Sequence, residues 1–262
     1  MPAQISENRA KQMLKANALV LCMGVNQLRT PNIAMIAAAC GFDAVYIDLE
    51  HNPTSLETAA GVCVAALGMG ITPIARVTSH DPHDATRILD CGAQGVMVPH
   101  IQNAAEARAI VEACLYAPKG HRSAFGSGPQ LGYAAIPQAV VCKVLNEQTL
   151  LMAMIETPEA VENADAIAAV DGIDVLHVGA SDCRPRWAFP ANTRTSGCVP
   201  PSLERRRVTA RQWGRRRSAG FSDTPGSNAR LVPCRPSFRR LRQSRRGASR
   251  SCPAGELHLQ IA

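Results

Sequence analysis

Residues 150–179 read LLMAMIETPEAVENADAIAAVDGIDVLHVG, and they decide the fold. Leu150–Ile155 is an unbroken apolar run of strand length. Thr157-Pro158 then opens a helix with proline in its first turn, where its missing N–H costs nothing. The helical pattern is expected over Pro158–Val170, and a second apolar run, Val175–Val178, follows. Strand, helix and strand with so short a return read as one β-α-β unit of a parallel sheet.

The same alternation extends back to Ala18. Further strands are expected at Ala18–Val25, Ala44–Leu49, Thr72–Val77 and Gly95–Val98. Helices are expected at Ile33–Cys40, Ser55–Leu67, His83–Cys91, Ala104–Leu115 and Pro137–Glu147. The fold class is therefore α/β, a (β/α)8 barrel of which six β/α units are legible; a closed barrel needs about eight. Polar residues gather where the strands end. Asp48, Glu50 and His51 end the second, Arg76 the third, Pro99-His100 follow the fourth, Glu156 the fifth, and Gly179 to Asp182 the sixth. Parallel α/β folds place their chemistry on that face.

Glu156 and Asp182 end neighbouring strands with no basic residue beside either in sequence. Converging carboxylates suit a hard divalent ion, Mg²⁺ or Mn²⁺ with Co²⁺ a third candidate, which prefers oxygen ligands. The alternative is that each caps the helix after it. Arg76 could stabilise an enolate oxygen or pair structurally with Asp48 or Glu50. His51 suits a general base if an acid orients its ring, and a lone loop histidine is otherwise a surface residue. His80, His83, His100 and His121 receive no role.

Several stretches in register carry a more specific signal: GFDAVYIDLEHNP (41–53), PIARVTSHDP (73–82), ILDCGAQGVMVPHIQNAAEA (88–107), YAPKGHRS (116–123) and MIETPEAVENADAIAAVDGIDVLHVGASD (154–182). Together they resemble the HpcH/HpaI aldolase/citrate lyase family, and most nearly its class II pyruvate aldolases that cleave 4-hydroxy-2-oxo acids such as 4-hydroxy-2-oxoheptanedioate. The resemblance implies a divalent metal held by Glu156 and Asp182 and an enolate-stabilising Arg76. It also implies a proton-handling dyad of His51 with Asp90, and a loop of Gly179, Ala180 and Ser181 that receives the pyruvate carboxylate. No lysine ends a strand, which agrees with a metal route rather than a Schiff base. Two departures bear on specificity: Met154 stands where relatives usually carry Gln, and Gly179-Ala180-Ser181-Asp182 replaces Gly-Pro-Ala-Asp. For intact relatives the resemblance implies homo-hexamers, an assembly that the altered C-terminal third of this chain is expected to disturb.

After Asp182 the pattern stops. Residues 1–183 carry 10 Lys+Arg against 18 Asp+Glu, whereas residues 184–262 carry 18 Arg, no Lys and three acids. The whole-chain charge of +7 is the sum of an acidic domain and a basic segment. That segment is poor in Leu, Ile, Val and Phe and is expected to be disordered. The codons for Trp187-Ala188-Phe189-Pro190-Ala191-Asn192-Thr193, read one base earlier, permit Leu-Gly-Ile-Pro-Gly-Gln-Tyr, which a relative would carry there. A one-base frameshift near the codons for Asp182 and Cys183 would explain this, and the expected division is an incomplete barrel (1–183) and an out-of-frame remainder (184–262). Six strands alone would leave the first and sixth as open edges. The arginine runs at 205–207 and 215–217 could attract nucleic acid, but they lack interleaved aromatics, so no specific nucleic-acid partner is expected.

The ten cysteines form no CxxC pairs, and Cys40, Cys63, Cys91 and Cys114 read as small hydrophobes. With no apolar run of spanning length and no leader-like N-terminus, the expected location is cytoplasmic, with no membrane partner and a small 2-oxo acid as substrate. Two further readings stand beside the aldolase: an acyl-CoA lyase of the same superfamily, and a catalytically inactive frameshifted copy.

Overall fold

The structure, a computed structural model, describes residues 5–124, 126–179, 209–212 and 259–261. A short helix α1 (Arg9–Lys15) precedes the alternation of β1 (Val20–Val25), α2 (Asn32–Ala39), β2 (Ala44–Asp48), α3 (Leu56–Gly68), β3 (Thr72–Arg76), α4 (Pro82–Asp90), β4 (Gly95–Val98) and α5 (Ala104–Cys114). A 3-10 turn at Pro129–Leu131 leads to α6 (Gln138–Gln148), β5 (Leu150–Ile155), α7 (Pro158–Glu162), α8 (Ala164–Ala168) and β6 (Val175–Val178). All pairings are parallel, each strand beside the next, as in Cys22 opposite Ala44 and Met152 opposite Val175.

The six strands lie where the sequence puts them, to within two residues at either end. One helix differs. The run expected over Pro158–Val170 is broken at Asn163, whose side-chain amide donates to the Gln102 carbonyl at 2.9 Å. The edges differ as well. Two short strands from the arginine-rich segment, β7 (Thr209–Gln212) and β8 (Leu259–Ile261), pair in parallel with β6, with each other and with β1, and close an eight-stranded ring. Strand pairing uses main-chain groups, so an open edge accepts an extended segment whose side chains carry no barrel pattern. The rest of 184–262, on which the expectation of disorder falls, lies outside the described residues.

Alternation along each strand sorts side chains into two layers. Val20, Cys22, Ala44, Tyr46, Ile74, Met97, Leu150, Met152, Met154 and Val175 fill the barrel. Ile47, Ala75, Val96, Leu151, Ile155 and Leu176 face the helices. Burying a side chain such as Ile47 or Leu151, each 0 % exposed, contributes roughly 1.5–3 kcal/mol.

Helix α1 plugs the N-terminal end of the barrel. Its capping residue Asn8 donates to the carbonyls of Gln94 and Gln148, at the starts of β4 and β5, and Lys11 pairs with Asp174 at 2.9 Å. At the other end, Ser55, Asp81, Asn103 and Thr157 cap the helices that leave the strands, each accepting from a backbone N–H in the first turn. Each cap is worth about 1 kcal/mol. Cys63 and Cys114 are buried free thiols, and burial pushes Cys114 up to about 12, as fits their reading as hydrophobes. Among the described residues no helix is long and apolar enough to cross a membrane.

Candidate active site

Because every strand is parallel, all C-terminal strand ends share one mouth. Asp48 follows Tyr46, Arg76 follows Ile74, and Glu156 follows Met154 at the two-residue spacing that keeps them on the inner face. All three are buried, at 5 %, 8 % and 2 % exposure.

Arg76 is in the ion pair that its position in the sequence left as an alternative. Its Nε and Nη2 donate to the two oxygens of Asp48 at 2.8 and 2.7 Å, a bidentate fork, and Nη1 lies 2.7 Å from Glu50 Oε2. Asp48 also accepts from the backbone N–H groups of Glu50 and His51 and from Asn52 Nδ2. Burial alone would raise the Asp48 carboxyl, but the hydrogen bonds and charge of Arg76 outweigh it and hold the group below its ordinary range. The guanidinium is thereby fixed at the mouth before any ligand arrives.

Glu156 sits across the mouth from this pair. Its Oε2 accepts from the backbone N–H of His100 at 2.9 Å, and His100 Nδ1 lies 2.9 Å from the same oxygen. His100 Nε2 lies 3.1 Å from Glu50 Oε1. The other oxygen, Oε1, turns toward Gly179. A Cβ at residue 179 would stand 2.6 Å from Glu156 Cγ and 2.8 Å from Oε1, so the bare glycine is what leaves room for this carboxylate.

His51 is exposed at the mouth, with Nε2 3.6 Å from Glu50 Oε2. Asp90 is elsewhere. It ends α4, which runs antiparallel to the strands, so it lies at the N-terminal end of the barrel. There its carboxylate pairs with Arg122 at 2.6 Å, and that guanidinium stacks 4.7 Å from the Tyr116 ring. Within one chain the structure does not bring Asp90 to His51. Of the carboxylate-receiving loop, Gly179 already donates its N–H to Ile155 O at 2.9 Å. Ala180, Ser181 and Asp182 lie outside the described residues. Among the described residues, no three His, Cys, Asp or Glu side chains converge as a metal cluster.

Three residues escaped the sequence reading. In sequence Glu50 is one polar strand-end residue and a candidate partner for Arg76, His100 carries no signal of a role, and His177 is a lone polar position in an apolar strand. His100 adopts φ 56°, a left-handed backbone that sequence does not announce. His177 lies on the inner wall, 1 % exposed, with no hydrogen-bond partner for Nδ1 among the described residues. Burial, reinforced by the charge of Arg76, pushes its imidazole down to about 4.

The model of the HpcH/HpaI aldolase/citrate lyase family matches residues 25–187, which include the C-terminal ends of β1 to β6. The chain belongs to that family. It is 37 % identical to the 4-hydroxy-4-methyl-2-oxoglutarate aldolase of Hapsidospora irregularis over 71 % of this chain and 70 % of that one. It is 32 % identical to the 4-hydroxy-2-oxo-heptane-1,7-dioate aldolase of Shigella sonnei over 80 % of this chain and 79 % of that one. The crystal structure of the HpcH/HpaI aldolase from Desulfitobacterium hafniense superposes with a TM-score of 0.74, covering 96 % of this chain and 89 % of that one; at 23 % identity it speaks to the fold. By family this HpcH/HpaI chain is a carbon–carbon lyase of the pyruvate-aldolase kind.

Proposed function

We propose that the chain is a metal-dependent lyase that cleaves 4-hydroxy-2-oxo acids to pyruvate and an aldehyde. The observation that carries this reading is Glu156, a buried carboxylate at a strand end. One of its oxygens is turned toward bare backbone at Gly179, opposite an arginine already fixed by two acids. A hard divalent cation, which prefers no softer ligand, fits that donor.

Glu156 and Asp182 would hold Mg²⁺ or Mn²⁺, which when bound supplies Lewis acidity to the 2-oxo acid. Arg76 supplies a fixed positive charge for the oxygen that gains charge as the C3–C4 bond breaks. Asp48 and Glu50 keep the guanidinium in place, so the charge is met without reorganisation. His51, exposed beside Glu50, accepts the proton of the 4-hydroxyl group. The bond's electron pair passes into pyruvate enolate, which takes a proton at C3 to become the methyl group. Asp90, held by Arg122 at the opposite end of the barrel, has no part in this reading of a single chain. The four lysines, Lys11, Lys15, Lys119 and Lys143, lie in α1, in the loop after α5 and in α6, away from the strand ends. That supports a route without a Schiff base. Relatives named as oxo-acid aldolases favour this substrate class over acyl-CoA esters.

Release of pyruvate from 4-hydroxy-4-methyl-2-oxoglutarate and from 4-hydroxy-2-oxoheptanedioate, coupled to lactate dehydrogenase, tests the proposal. Release should require Mg²⁺ or Mn²⁺, stop with EDTA, and fall by about 100-fold or more in Glu156→Gln. Release indifferent to both EDTA and Glu156→Gln would refute it.

A further inference from the structure

The route by which the mouth's charged groups are joined runs through one residue outside the machinery proposed so far. His100 follows β4, between the arginine on β3 and the carboxylate after β5. Its backbone is left-handed, φ 56°, a region that residues other than glycine seldom enter and that Asn, Asp and His enter most readily. That turn aims two groups of one residue at one atom: the His100 main-chain N–H and Nδ1 each lie 2.9 Å from Glu156 Oε2. The far side of the same ring reaches Glu50 Oε1 at 3.1 Å, and Glu50 reaches Arg76. A continuous chain thus runs from Glu156 through His100, Glu50 and Arg76 to Asp48. Strain of this sort persists where surrounding contacts over-determine it.

We propose that His100 is a positioning residue for the ion site. It engages Oε2 of Glu156 while Oε1 lies toward Gly179, and it sets the separation of that carboxylate from Arg76 through Glu50. The proposal rests on the reading of Glu156 as a metal ligand. Groups that orient a ligand from behind are worth about 10- to 100-fold in metal affinity.

The test is Mn²⁺ binding to the full chain, followed by the electron paramagnetic resonance signal of free Mn²⁺, with no substrate present. His100→Gly keeps the left-handed backbone and its N–H but removes the ring, and should weaken Mn²⁺ binding about 10- to 100-fold. His100→Asn tolerates the same backbone and returns an N–H donor near the Nδ1 position, so it should recover binding to within about threefold of wild type. A fold defect would not be rescued in this way. Should the Gly variant fail to fold, His100→Ala, which also removes every side-chain donor, carries the same expectation. Binding by His100→Gly within twofold of wild type, while Glu156→Gln abolishes it, would overturn the role of His100 and leave the metal reading intact. Asn no better than Gly would also overturn it. Absence of Mn²⁺ binding in the wild type, or binding unaffected by Glu156→Gln, would overturn both.

Discussion

A histidine in the barrel interior makes stability fall in mild acid, and the amount follows from its surroundings. His177 lies on the inner wall of β6, 1 % exposed, and burial with the charge of Arg76 pushes its imidazole from 6.5 down to about 4. In the unfolded chain the ring takes up a proton near its ordinary 6.5; in the folded protein it stays neutral until about pH 4. Between those values the unfolded state binds one more proton than the native state, so stability rises with pH across the window and is lost as pH falls through it. At 1.36 kcal/mol for each pH unit the loss amounts to about 3 kcal/mol at pH 4. Replacing His177 by leucine removes this proton and leaves the carboxylates of the mouth to titrate alike in both proteins. Urea unfolding of wild type and His177→Leu at pH 7, 6, 5 and 4 isolates the contribution. The wild type should lose about 3 kcal/mol more than the variant between pH 7 and pH 4, with the difference opening below pH 6.5. Two curves that stay parallel over this range would mean instead that the ring is charged or solvated in the native barrel.

Other predictions follow from the mouth and from the change of composition after Asp182. Gly179→Ala puts a methyl group 2.6 Å from Glu156 Cγ, so Mn²⁺ affinity and pyruvate release should both fall, release by about tenfold or more. Asp48→Asn removes a buried partner of Arg76 and should cost about 3 kcal/mol of stability at pH 7, measured by urea unfolding. Asp48 is held below its ordinary 3.8, so its stabilising effect is complete above that value. The penalty of the variant should therefore shrink as pH falls below 3.8 and toward the lowered native value of Asp48. Sequencing the coding DNA should reveal a single-base insertion or deletion near the codons for Asp182 and Cys183. Restoring the frame should yield a segment reading close to Leu-Gly-Ile-Pro-Gly-Gln-Tyr, and an intact frame in independent copies of the gene would exclude this origin.

What the sequence made legible was local. Leu150–Ile155 and Val175–Val178 announce strands because an apolar run between polar ends has few other stable fates, and Thr157-Pro158 announces a helix because both residues suit its first turn. The placing of Arg76 and Glu156 at one mouth followed from strand direction alone. What stayed hidden depends on side chains that meet across the barrel. The break at Asn163 comes from its bond to Gln102, 61 residues away. The separation of Asp90 from His51 comes from the direction of α4, which sends its last residue away from the mouth. The bridge at His100 needs a positive φ that no neighbouring residue signals, and the buried His177 looks in sequence like one polar position in an apolar strand. Closure of the ring by Thr209–Gln212 and Leu259–Ile261 rests on main-chain pairing, to which hydrophobic periodicity is blind.

If the proposed function holds, this mouth binds a divalent ion and labilises the methyl protons of a 2-oxo acid. Proton exchange from the methyl group of pyruvate in D₂O, followed by proton NMR with Mg²⁺ or Mn²⁺ and with EDTA, tests it without any choice of aldehyde. Exchange should require the ion, stop with EDTA, and disappear in Glu156→Ala and Asp182→Ala. Exchange that proceeds without a metal, or no exchange from either this chain or its frame-restored form, would contradict the proposed function.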